Sequence, residues 1–160
     1  MGEARNLRWR DISSTKTITG EKRLIFTVRG KTGEREVVCN QRVDDYIERL
    51  RTFRLEETTV INPDERVFCH KNGAAIGSFK KGFQQALESA GVLYGSDGKK
   101  RVPYSLRHTY ATMRISEGVS IYQLAANMGT SVEMIENFYG KKRMRDPRMA
   151  TEVTKVRGRM

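Results

Sequence analysis

The sequence predicts an α+β fold, mainly helical, with a small three-stranded antiparallel sheet in its N-terminal half. Two patterns carry that expectation. Before residue 40 the apolar residues fall in short β-branched runs separated by turn residues, the signature of hairpin-linked strands. After residue 42 they recur three or four apart between capping residues and glycines, the signature of helices packed on one face. At 160 residues the chain fits one domain, 1–160, with a core of useful size.

Residues 3–8 favour a short helix, and Trp9-Arg10-Asp11-Ile12 turns it into a first strand. Leu24-Ile25-Phe26-Thr27-Val28 and Glu36-Val37-Val38-Cys39 are the second and third strands. Arg29-Gly30-Lys31-Thr32-Gly33-Glu34 between them is turn chemistry for a hairpin. Val43, Ile47 and Leu50 recur at helix period, with Arg42, Arg49 and Arg51 on other faces. Asn62-Pro63-Asp64 is a loop, and Val67-Phe68 is a short apolar segment. Ser78 is an N-cap candidate for a helix burying Phe79, Phe83 and Leu87 and stopped by Gly91. Residues 94–101, glycine-rich and basic, are expected to form a mobile loop.

Three helices are expected after that. The first is capped by Ser105, runs through Leu106, Tyr110 and Met113, and ends at Gly118. The second opens at Ser120, carries Ile121, Leu124 and Ala125, and ends at Gly129. The third starts from Thr130-Ser131-Val132-Glu133, which has the form of a capping box, and shows Ile135 and Phe138 on its apolar side. Residues 141–160 are a basic C-terminal tail.

Charge narrows the partner. Thirty Lys and Arg against nineteen Asp and Glu give a net charge of +11, and the sequence pI is near 10.0. Such a chain suits a polyanion, bound with strong salt dependence through counterion release. Nucleic acid comes first and an anionic membrane surface second. No apolar run approaches the roughly 18 residues that a membrane span requires, and the N-terminus shows no apolar signal core. Cys39 and Cys69 read as reduced cytosolic thiols, so a cytoplasmic location is expected. Cys69-His70 lacks a second ligand pair, so no metal site is expected.

The sequence holds no Walker loop, GxGxxG, HExxH or Ser/His/Asp pattern. It does hold Arg, Lys, His and Tyr in the combination that phosphoryl transfer on DNA requires. Cations offset charge on the non-bridging oxygens, a nucleophile attacks in line, and an acid protonates the leaving alkoxide.

Four motifs give this set a family likeness. Tyr104-Ser105-Leu106-Arg107-His108-Thr109 resembles the His-x-Leu-Arg-His box of the tyrosine recombinases (the phage integrase family), with Tyr in the first slot. Met128-Gly129-Thr130-Ser131, with Ile135 and then Tyr139-Gly140 after it, resembles that family's Leu-Gly-His segment and terminal nucleophile, with the same interval from residue 130 to the tyrosine. The stretch from Glu3 to Ile12 is similar to the segment just after the family's first arginine, and Lys31-Thr32-Gly33 is similar to its hairpin turn. The motifs stand in the family's order and cover nearly the whole chain.

The resemblance implies a catalytic domain of a site-specific DNA recombinase or integrase. Tyr139 would be the nucleophile, forming a 3′-phosphotyrosyl link. Arg107 would bind a phosphate oxygen, Lys31 would protonate the leaving 5′ oxygen, and His108 would hydrogen-bond near the phosphate or buttress the site. Glu3 would support the arginine cluster. No cofactor is implied, because the covalent link stores the phosphodiester energy. The implied partners are double-stranded DNA and further copies of the chain, as a tetramer on paired sites and a monomer when free. The segment after Tyr139 would then pack on a neighbouring subunit.

Three departures qualify the likeness. The family's first arginine would fall three residues before Glu3, ahead of Met1, so the chain is expected to be a fragment lacking that residue and an N-terminal DNA-clamping domain. Loss of one such cation costs about two to three orders of magnitude in rate, so the fragment is expected to be impaired. Tyr104 stands where His is usual, which leaves its part in acid–base help open. Thr130 stands where His or Trp is usual; its hydroxyl can donate to phosphate, and it is equally an N-cap candidate.

A reading from another class is a non-enzymatic helix-turn-helix module. Residues 124–135 have an apolar first helix, a turn glycine and a capped second helix. It accounts for the charge but not for the Arg107-His108 box or the lysine hairpin. An RNA-binding protein is a third reading, and the scarcity of aromatics among the basic segments counts against it.

Overall fold

Alternating apolar residues and glycine turns give the first half its sheet. The computed structural model describes residues 2–30 and 33–137. The chain divides into two units, residues 1–103 and 104–160.

In the first unit a short helix α1 (Gly2–Asn6) leads through a 3₁₀ turn (Trp9–Asp11) into β1 (Ile12–Lys16), β2 (Lys22–Gly30) and β3 (Gly33–Val38). The sheet is antiparallel in the order β1-β2-β3, with Ile12 opposite Phe26, Ile25 opposite Val38 and Gly30 opposite Gly33. Period-two alternation puts Leu24 and Val28 on the buried face. They pack with Leu7, Trp9, Cys39, Ile47 and Val67, and each such aliphatic side chain contributes roughly 1.5–3 kcal/mol on leaving water. Helix α2 (Val43–Thr58) supplies Ile47, with Val43 and Leu50 half-buried beside it.

The strand expected at Trp9 to Ile12 begins only at Ile12. Asp11 wins locally: its carboxylate accepts the Arg8 N–H at 3.0 Å while its own N–H donates to the Arg8 carbonyl at 3.0 Å. That closed turn competes with a sheet ladder. Helix α3 (Lys80–Ser89) forms, but Phe79, Phe83 and Leu87 are only half-buried, and Ser78 stands one residue outside the N-cap, its hydroxyl accepting the Lys80 N–H at 3.2 Å. Residues 94–101 are a hydrogen-bonded turn rather than an open loop. Tyr94 bridges Lys100, Gly95 N–H donates to the Lys99 carbonyl at 2.9 Å, and the Arg101 guanidinium donates to the carbonyls of Val92 and Tyr94.

Helix α4 (Pro103–Ser116) begins at the last residue of the first unit and otherwise belongs to the second, with α5 (Ile121–Met128) and α6 (Val132–Ile135). The core of the second unit is Ala111, Ile115, Leu124, Ala125, Met128 and Ile135. Helix α4 starts at Pro103 and not at Ser105, because proline's fixed φ and missing N–H suit the first helical position. Its buried face also differs from expectation. Leu106 and Met113 stay 58% and 52% exposed, and Ala111, fully buried, makes the close contact. Gly118 and Gly129, at φ 84° and 60°, end α4 and α5. Behind Gly129 the Thr130 N–H donates to the Ala125 carbonyl at 3.0 Å, a left-handed helix stop that glycine adopts without strain. Among the described residues no helix is long and apolar enough to cross a membrane.

Candidate active site

The second unit gathers Tyr104, Arg107, His108 and Thr130. With Met128 and Met134 they line a cavity of about 100 Å³. Tyr104 and His108 are four apart on α4, so they share a face. Their rings meet edge to face, with centroids 5.0 Å apart and planes at 81°. Arg107 projects from the same first turns, and its Nη1 donates to the Met128 carbonyl at 2.8 Å. That oxygen lies at the C-terminal end of α5, where carbonyls lack helical partners and favour a cation. The bond uses one of the five N–H donors of the guanidinium fork.

Thr130 stands just past the Gly129 turn. It does not cap α6: Ser131 does, its hydroxyl accepting the Met134 N–H at 3.1 Å. Thr130 itself is among the residues that line the cavity. Helices α5 and α6 do trace a helix–turn–helix path, and Met134 and Ile135 of α6 face the Arg107 cavity. Tyr139 and Lys31 lie outside the described residues, as does the tail 141–160.

Glu3 lies in the first unit. Its Oε2 accepts from Nη2 of Arg35 on β3 at 2.9 Å. Around it is a cavity of about 210 Å³ whose charged lining includes Arg8, Arg10, Asp11, Arg29 and Arg66. Asp11 is 5% exposed. Burial there works against its ionisation, but the Arg29 hydrogen bond at 2.7 Å and the Arg8 N–H outweigh it and hold the carboxyl below its ordinary range. Arg29 is raised in turn, chiefly by its hydrogen bond to Asp11. Sequence reasoning missed this arginine-lined cavity. Its only trace was the arginine density of the Glu3–Ile12 stretch, since Arg29 and Arg66 join it through the fold.

The chain is similar to known proteins both in sequence and in fold. Tyrosine recombinase XerD of Rickettsia conorii (strain ATCC VR-613 / Malish 7) is 28% identical over 131 residues, 81% of this chain and 43% of that protein. The crystal structure of XerA recombinase superposes with a TM-score of 0.70 at 20% identity, over 98% of this chain and 53% of that one. This chain thus spans about half the length of the relatives it matches. No family model matches it. The XerD likeness covers most of the sequence, and the XerA likeness shows a shared fold over nearly all of it. The chain is thus similar to a tyrosine recombinase in sequence and shares the fold of a recombinase.

Proposed function

We propose that the chain is the catalytic domain of a site-specific DNA recombinase that cuts and rejoins strands through a 3′-phosphotyrosyl intermediate. The observation that carries this reading is the convergence of Arg107, His108 and Thr130 on one cavity, with Thr130 nine residues ahead of Tyr139 in the sequence. The Tyr139 phenol gives its proton to solvent water, and its oxygen bonds to phosphorus as the P–O5′ bond breaks. The 5′ oxygen leaves as a hydroxyl, protonated by the Lys31 ammonium. Arg107 offsets charge on a non-bridging oxygen, by two parallel hydrogen bonds where geometry allows. His108 and Thr130 supply further donors, and Tyr104 orients His108 through its ring contact. Rejoining is the reverse, with the 5′ hydroxyl attacking the phosphotyrosine, so the strand exchange needs no external energy source.

The substrate in this reading is double-stranded DNA, and the acting form is an assembly on paired sites. A preceding segment would supply the family's first arginine and a DNA clamp, as the relatives' greater length allows. The test is a nicked half-site DNA incubated with the chain, alone and extended by an arginine-bearing segment ahead of Met1. A covalent complex on a denaturing gel is the expected product. Tyr139→Phe should abolish it, and Arg107→Lys should slow it about a hundredfold or more. An adduct that survives Tyr139→Phe removes that residue from its role. Tight, sequence-specific binding without any adduct would favour a helix-turn-helix binding module instead.

A further inference from the structure

Arg66 is held by a well-fixed stretch of backbone. Residue 66 bridges Arg8 in antiparallel fashion. On either side the Trp9 N–H donates to the Glu65 carbonyl at 3.1 Å and the Val67 N–H to the Leu7 carbonyl at 2.9 Å. Leu7 and Val67 are both buried in the core of the first unit, which locks the bridge in register. The Arg66 side chain lines the cavity of about 210 Å³, and among the described residues its guanidinium has no hydrogen bond or ion pair. The Asn6 amide of α1 and the Thr27 hydroxyl of β2 line the same space and are likewise without a partner among the described residues.

The other charges around the cavity are paired. Arg8 and Arg10 share one oxygen of Asp64. Arg29 holds Asp11 at 2.7 Å and Glu34 at 2.8 Å, and Arg35 holds Glu3 at 2.9 Å. Five guanidiniums thus stand among four carboxylates, and one positive charge is left over. Asp11, the most deeply buried of the acids, has both oxygens occupied, one by Arg29 and one by the Arg8 N–H, which screens it from an anion entering the cavity.

We infer that this cavity is a binding site for a single phosphate group, with Arg66 as its anchoring donor and Asn6 and Thr27 beside it. A phosphate presents tetrahedral oxygens, which suits donors brought together from three separate elements. A guanidinium whose fork is empty takes two of those oxygens side by side. The group is either free phosphate or a phosphodiester of a bound DNA backbone, since both offer the same oxygens. The inference goes beyond the recombinase reading: it concerns residues of the first unit alone and holds whether or not Tyr139 forms an adduct.

The first test follows melting at pH 7 in sodium phosphate and in sodium chloride of matched ionic strength. Wild-type Tm should climb with the logarithm of phosphate concentration, as a ligand bound only by the folded chain requires. Phosphate also stabilises folds by exclusion from their surfaces, and that part is common to every variant. Arg66→Gln should move the onset of the climb to about tenfold higher phosphate or more, and Thr27→Val, which leaves the charge unchanged, to about threefold higher or more. Arg42→Gln, outside the lining, should behave as wild type. Each variant is its own reference in chloride, so lost stability alone does not mimic a lost site. Equal phosphate responses in wild type, Arg66→Gln and Thr27→Val would overturn the proposal. The second test identifies the source of the phosphate, by binding of a half-site duplex across a salt series. If the backbone supplies it, Arg66→Gln lowers the slope of log K on log salt by about 0.9, to the same extent on unrelated sequences. An unchanged slope beside a lost phosphate response assigns the site to free phosphate. Failure of the wild type to form any adduct would refute the recombinase reading and leave both results standing.

Discussion

Arg54 offers the sharpest test of the packing in the first unit. Its side chain, 9% exposed, is buried on α2 and fully engaged. Nε donates to Glu65 Oε2 at 3.0 Å and Nη2 to the other Glu65 oxygen; Nη1 donates to Glu57 at 3.1 Å and to the Lys71 carbonyl at 2.8 Å. Gly73, at φ 78°, closes over the cluster, where a Cβ would come 3.1 Å from Glu65 Oε1. The Glu65 hydrogen bond comes first in raising Arg54 above the ordinary arginine range, and the same bond holds Glu65 below 4.5. Removing one member of a buried pair costs about 3–5 kcal/mol. Glu65 and Glu57 keep 21% and 28% of their side-chain surface in water, so the lower end, about 3 kcal/mol, applies to Arg54→Met. For a chain of this size that lowers Tm by roughly 6–12 °C.

Glu65 sets the sign of the pH dependence. A carboxyl whose folded pKa is depressed stabilises the fold fully above its unfolded value. That contribution is lost as pH falls through the folded pKa. The gap in Tm between wild type and Arg54→Met, measured by circular dichroism, should therefore be full near pH 7 and shrink below about pH 4.5. Adding Glu65→Gln to Arg54→Met should recover part of the loss, because it removes a carboxylate left without its partner. A Tm within 2 °C (about the error of such a melt) of wild type at pH 7, or a gap that does not change with pH, would refute this account of the cluster.

Two further outcomes are expected. Leu124→Ala, at a side chain 1% exposed in the centre of the second core, should cost about 2–5 kcal/mol, read as a shift in urea midpoint with little change in slope. The Cys39 thiol is pushed up to about 12, by burial first and then by Asp44. In a Cys69→Ser background it should react with a thiol reagent at pH 8 about a thousandfold more slowly than in denaturant; equal rates would show the thiol to be accessible. The raised value also means that stability from this group is full below pH 9 and declines as pH rises toward 12.

The sheet and most helices were legible because each rests on short-range patterns. Leu24 and Val28 alternate, Gly118 and Gly129 stop helices, and Ser131 lies within the expected capping segment. Trp9 to Asp11 was misread because the side chain of Asp11 satisfies the backbone locally, which no strand propensity records. The buried face of α4 was misread because hydrophobicity ranks Leu106 and Met113 above Ala111, while close helix packing selects the smallest residue. In the site, Tyr104, Arg107, His108 and Thr130 were visible as residue types at family spacing. The contacts that hold them were not visible. The Arg107 bond to Met128 spans 21 residues and the Glu3 bond to Arg35 spans 32, and both depend on the fold being formed.

The Arg107–Met128 bond has a consequence for affinity. A free arginine on a surface samples many rotamers, and freezing them on contact with an anion costs up to about 2 kcal/mol. Here the freezing happens when the protein folds, because the carbonyl at the end of α5 has already taken one N–H of the fork. An oxyanion arriving in that cavity meets a donor whose conformational freedom was surrendered beforehand. A lysine in the same place could offer charge to the helix end or to the anion, but its single ammonium would have to divide itself between them.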